Sequence, residues 1–97
     1  MHALVCQAIA RRKIIRFHYD GGMRDIEPHI HGVGKDGGEL LRGYQVSGFS
    51  RSGQVPGWKM FKLGEVRAMA LTDHGFDSAR TGYEPNDPLL ATVHCRL

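Results

Sequence analysis

The sequence has no apolar run near the roughly 20 residues a membrane-crossing helix requires. Its first residues also lack the basic, apolar and small-residue order of a secretory leader. Cysteine is scarce: Cys6 and Cys95 stand near opposite ends, with no CxxC spacing, which argues against a zinc knuckle, a thioredoxin-type site or a disulfide-rich scaffold. A bridge between the termini is geometrically possible, but without a secretion signal the pair reads as two free thiols in a cytoplasmic protein. The P-loop, the dinucleotide fingerprint, GxSxG and HExxH are all missing, as are internal repeats and low-complexity tracts. Ninety-seven residues leave no room for a second independent core.

What is present is ordinary in bulk and uneven in detail. Hydrophobic residues make up 41% and charged residues 24%, as in a soluble globular chain. Thirteen glycines point to many tight turns. Thirteen Lys and Arg against ten Asp and Glu leave a net charge of +3. Through Arg67 there are eleven basic and six acidic residues; beyond it there are two and four. A basic body with a weakly acidic tail suits an anionic ligand, and solvated surface charge explains it equally well.

Periodicity gives the elements. Residues 3–12 read as a short helix with Leu4, Val5, Ala8 and Ile9 on one stripe. From Lys13 the period becomes two, with Ile15, Phe17 and Tyr19 on one side of a strand. Asp20-Gly21-Gly22 is a hairpin turn. Further strands are expected over Met23–Val33, Leu40–Phe49, Trp58–Leu63 and Val66–Thr72, separated by glycine-rich turns. Pro28 marks an edge or a bulge, because it cannot donate to a ladder. The fold class expected is mainly β: a small five-stranded Sm-like or SH3-like barrel with an N-terminal α-helix and a C-terminal extension. The barrel domain spans 1–76; the tail, 77–97, packs on the barrel or on a partner, and Thr92–Cys95 has the makings of a last strand.

Chemistry is harder to place. Strand neighbours two apart share a face, so His29 and His31 have the spacing to share an ion. With Asp25 and Glu27 on that face, the same stretch reads as a polar, solvent-facing stripe. Two histidines do not complete a site, and no metal or cofactor is expected. Ser47, Ser50 and Ser52 have no base fixed beside them and read as turn residues, so the chain is not expected to be an enzyme. Recognition is better supported. Arg24, Arg42, Tyr44, Gln45, Trp58 and Lys59 mix cations, an amide and aromatics that suit phosphates and bases. The plainer readings are that Tyr44 and Trp58 are core, that Arg42 snorkels beside Leu40 and Tyr44, and that Arg24 pairs with Asp25 or Glu27.

From Leu4 to Phe76 the chain resembles the WYL domain, a small Sm-like barrel of bacterial transcriptional regulators and defence-associated proteins. The resemblance rests on LVCQAIARRKIIRFHYDGG (4–22), RDIEPH (24–29), ELLRGYQ (39–45), WKMFKLGEV (58–66) and ALTDHGF (70–76), in that order. The name motif itself reads Glu39-Leu40-Leu41, and the family's later Asp-Arg reads Gly64-Glu65. What the resemblance implies is a ligand-sensing regulatory module binding single-stranded nucleic acid, an oligonucleotide or a nucleotide-like effector. By motif position it points to Arg24, Tyr44, Lys59 and Lys62; strand alternation and chemistry add His29, Gln45 and Trp58. The family's usual helix-turn-helix has no room before this barrel, so a free-standing sensor, a partner subunit or an adaptor is expected, with no membrane partner. The competing expectation is a protein-interaction or homo-oligomerisation barrel with Met60, Met69, Trp58 or Phe49 at the interface.

Overall fold

The computed structural model describes residues 2–97. A helix α1 (His2–Arg11) leads into strands β1 (Lys13–Tyr19), β2 (Gly22–Gly34), β3 (Glu39–Gly48) and β4 (Gly57–Lys62). A 3-10 turn over Leu63–Glu65 precedes β5 (Arg67–Gly75), and β6 (Leu90–Arg96) ends the chain. All pairings are antiparallel. The sheet runs β4-β3-β2-β1-β5, and β6 branches off β2. The sheet therefore has six strands rather than five, the sixth coming from the tail. Among the described residues β4 and β5 end the path without pairing with each other. Among the described residues no helix is long and apolar enough to cross a membrane.

Local chemistry accounts for these elements. Val5, Ala8 and Ile9 stack at helical spacing and are all buried. The β1–β2 hairpin closes where Asp20 (φ 41°) and Gly21 (φ 104°) both take positive φ, the two-residue turn that matches strand twist. The core gathers the α1 stripe with Ile15, Phe17, Ile26, Leu41, Phe61, Leu63 and Val66. Phe17, Tyr19 and Phe61 meet edge-on, with Phe61 5.0 Å from each of the other two rings. That geometry adds to the burial of the rings.

β2 organises the sheet. Its first half pairs with β1 and its second half with β6, while β3 runs along its other side. The register slips between Pro28 and Ile30 on the β3 side, leaving His29 as the extra residue, so Pro28 is buried beside a bulge in a central strand, not at an edge. The missing N–H falls where β1 has ended and β6 has not begun, so no ladder bond is lost there. The expected solvent-facing stripe is overturned as well. Glu27, His29 and His31 are all buried, because the tail and β6 cover this part of β2. Glu27 takes a bidentate ion pair from Arg80 of the tail, at 2.7 and 2.9 Å.

The cysteines are likewise not free. Cys6 on α1 and Cys95 on β6 form a disulfide across 89 residues, with Cα atoms 5.7 Å apart. The cause is topological: α1 packs on β2, and β6 pairs with β2 so that Cys95 lies opposite His31.

Candidate ligand-binding end of the sheet

Arg24 follows the β1–β2 hairpin on β2 and is only 5% exposed. Its guanidinium donates to the carbonyls of Tyr19 (3.0 Å) and Asp20 (3.3 Å) and to Gln45 Oε1 (3.4 Å). It lies over the rings of Tyr19, Phe49 and Phe61, 5.2 to 5.8 Å from their centroids. Neither acidic partner expected from sequence takes it: Asp25 pairs with Arg16 and Glu27 with Arg80. Burial pulls the Arg24 pKa below its usual value; the fields of Asp20 and Tyr19 oppose this, and that of Arg51 adds to it.

Gln45 is fully buried and works with Arg24. Its amide nitrogen donates to the carbonyls of Ser47 (3.2 Å) and Phe49 (2.8 Å), leaving its oxygen for the guanidinium. The loop that Gln45 ties down then meets Lys59 on β4. Lys59 Nζ donates to Ser50 Oγ (3.1 Å) and Ser52 Oγ (3.0 Å). Arg51, between those serines, makes an exposed ion pair with Asp20 at 2.9 Å. Such pairs contribute little and exchange readily.

One end of the sheet thus carries Arg24, Lys59 and Arg51 around the loop 49–52, with Phe49 40% exposed beside them. Among the described residues no carboxylate pairs with Arg24 or Lys59; both are held by neutral oxygens. Sequence reasoning named Arg24, Gln45 and Lys59 but not Phe49 or Arg51 as ligand residues. The signal was present in Phe49-Ser50-Arg51-Ser52, where an aromatic and a cation alternate with hydroxyls in a loop.

The other expected residues lie elsewhere. Tyr44 and Trp58 pair across β3 and β4 on the outward face, edge-on at 5.5 Å, and the tail uses them both. Arg80 stacks on Tyr44 at 4.7 Å, and Trp58 Nε1 donates to the Thr81 carbonyl at 3.0 Å. Arg42, on the same face, is ion-paired with Asp87 at 2.7 Å instead of snorkelling unpaired. This contact, together with the backbone N–H of Leu89, holds the Asp87 carboxyl below the usual range, against the effect of burial. A cavity of about 230 Å³ there is lined by Arg42, Trp58, Glu84, Asp87 and Leu89. Its charges suit phosphate poorly. Lys62 is exposed; its backbone N–H bonds Tyr19 Oη, and its side chain borders a larger, acidic hollow with Asp36, Glu39 and Glu65.

His29 is a structural residue. Arg80 N–H donates to its Nε2 at 3.1 Å, and its Nδ1 lies 2.8 Å from the Glu27 carbonyl, so both ring nitrogens are engaged. Trp58, Phe76 and Tyr83 surround it. His31 instead meets Cys6 and His94, so the two imidazoles face different neighbours and are not grouped around a common point.

Comparison with family models, with curated proteins and with solved structures found no match to this chain.

Proposed function

We propose that the protein is a non-enzymatic binding module, an Sm-like barrel of the kind its resemblance to the WYL domain implies. Its ligand is a single-stranded nucleic acid or a nucleotide-like effector, captured at the end of the sheet built on loop 49–52. One observation carries this reading: Lys59 is held only by the Ser50 and Ser52 hydroxyls of that loop, while Arg24, hydrogen-bonded to carbonyl and amide oxygens, lies over the Phe49 ring at its start. Lys59, half-buried and held only by hydroxyls, offers a phosphate charge-assisted bonds, and the buried Arg24 adds its positive field nearby. Phe49 offers an exposed face for a base, and Arg51 a second phosphate contact once it leaves Asp20. Tyr44 and Trp58 hold the tail in this reading and do not stack on the ligand.

The test is fluorescence anisotropy of short labelled single-stranded DNA and RNA at two salt concentrations. Binding is expected to weaken as salt rises, and Lys59→Ala should both lower affinity and flatten the salt dependence by about one phosphate contact. Phe49→Ala should lower affinity without changing that dependence. Salt-independent binding, or full affinity in Lys59→Ala, overturns the site. A second reading is a protein-interaction module, favoured by the unpaired outer edge of β4 and by exposed Met23 beside Phe49. It predicts an oversized, nucleic-acid-free species in size-exclusion chromatography.

A further inference from the structure

Three groups from distant parts of the sequence converge on the opposite half of β2. Cys6 comes from α1, His31 from β2 and Cys95 from β6, and their ligating atoms all lie within 4.8 Å of one another. His31 is fully buried, with Nδ1 3.7 Å from Cys6 Sγ and Nε2 3.0 Å from Glu39 Oε1. His94 Nε2 reaches the same carboxylate oxygen at 3.1 Å. A carboxylate on one imidazole nitrogen, with the other nitrogen aimed at sulfur, is how proteins orient a histidine for a metal. The spacing agrees. Around a tetrahedral zinc, sulfur and nitrogen ligands at about 2.3 and 2.0 Å from the ion stand about 3.5 Å apart.

We propose that Cys6, Cys95 and His31 form a thiol-gated site for a zinc-class divalent cation, closed as the disulfide and opened by reduction. A dithiol reductant transfers two electrons to the Cys6–Cys95 bond and leaves as its own cyclic disulfide, while the two sulfurs become thiols. Binding the cation then releases both thiol protons to water and leaves two thiolates and one neutral imidazole on the ion. To reach that geometry the bonded sulfurs need only separate to about 3.7 Å, the edge of a tetrahedron of zinc–sulfur bonds. Glu39 stays on Nε2 as the residue that orients the ring. The disulfide and the metal thus serve as alternative clasps between the first helix and the last strand, each bridging the same two elements.

The experiment uses the full chain, stripped of metal, reduced with a phosphine under argon and titrated with cobalt(II) as the spectroscopic probe. The expected result is one cobalt per chain, with thiolate-to-cobalt charge transfer in the near ultraviolet, strong tetrahedral visible bands, and displacement by zinc. The oxidised chain should show none of these. Cys6→Ser should lose about half of the charge-transfer intensity, and Glu39→Gln should keep the bands but bind about 10- to 100-fold more weakly. Circular dichroism reports the fold throughout. If reduction unfolds the chain, cobalt that restores both the fold and the bands supports the site, and cobalt that restores neither overturns it. A folded, reduced chain without charge transfer overturns it, as do bands that persist when both cysteines are replaced by serine.

Discussion

Protonating His29 should release the tail from the sheet, and the structure sets both the sign and the ceiling of the effect. The Arg80 N–H needs an acceptor, so Nε2 carries the lone pair and Nδ1–H donates to the Glu27 carbonyl. A second proton would sit on Nε2, facing the Arg80 N–H. Burial is the largest influence and lowers the His29 pKa; the Glu27 carbonyl and carboxylate oppose it, and Arg80 adds to it. A histidine whose folded pKa is depressed contributes stability that is present above its unfolded pKa of about 6.5 and is lost as pH falls toward the folded value. In that window the slope is about 1.4 kcal/mol per pH unit, so His29 removes at most about 1.4 kcal/mol between pH 7.5 and 5.5. Urea denaturation at those two pH values, on wild type and His29→Gln, isolates this residue from the other histidines. The Gln oxygen can accept the Arg80 N–H without titrating, so the variant should lose less stability on acidification. Amide exchange at Arg80 should quicken in acid in the wild type alone. An identical acid loss in the two proteins would refute the reasoning.

Two further outcomes rest on packing and connectivity. The Cys6–Cys95 link closes a loop with a sequence separation of 89, and chain entropy gives it about 4.6 kcal/mol over the open chain. The double variant Cys6→Ala/Cys95→Ala, measured by urea denaturation without metal, should lose several kcal/mol; a loss under about 1 kcal/mol would show that the denatured chain is already compact. A Cβ at Gly43 would collide with Ile26 Cγ2 and approach the Glu27 carbonyl, both across the β2–β3 pairing. Gly43→Ala should therefore cost about 1–3 kcal/mol by overpacking, and an unchanged urea midpoint would show that the β2 bulge relaxes freely.

What the sequence disclosed was local. The stripe Val5–Ala8–Ile9, the turn at Asp20-Gly21 and the alternation of Ile15 and Phe17 depend on neighbours a few residues away, and all appear as the periods imply. The phase of β2 did not, because alternation counted through Pro28 assumes a regular strand and the register slips beside it. That bulge explains why His29 and His31, two residues apart, meet different neighbours; the supposed surface stripe is buried because the tail and β6 cover it. The disulfide left no trace in local pattern, since only the folded sheet sets β6 beside β2 and α1 across it. At the candidate site, motif position picked out Arg24 and Lys59, but chemistry alone could not separate Tyr44 and Trp58, which the tail occupies, from the loop beside Arg24.

The tail completes the sheet it follows. With β1 pairing β2 only as far as Ile26, the edge of β2 from Glu27 onward would be open, and Glu27, His29 and His31 would face solvent, as their polarity suggests. Residues 76–83 instead bring an arginine to Glu27, a backbone donor to His29 and aromatic rings around that imidazole. β6 then takes up the ladder from Ile30, and the Leu97 N–H closes on the His29 carbonyl at 2.9 Å. Gly32 is what lets the two strands approach, because a Cβ there would run into the Thr92 carbonyl. Glu27 and His29 are thus buried with partners supplied from more than 50 residues away, which keeps the cost of burying them low. The same pairing that satisfies β2 sets Cys95 opposite His31, so the strand that completes the sheet also assembles the sulfur–imidazole cluster.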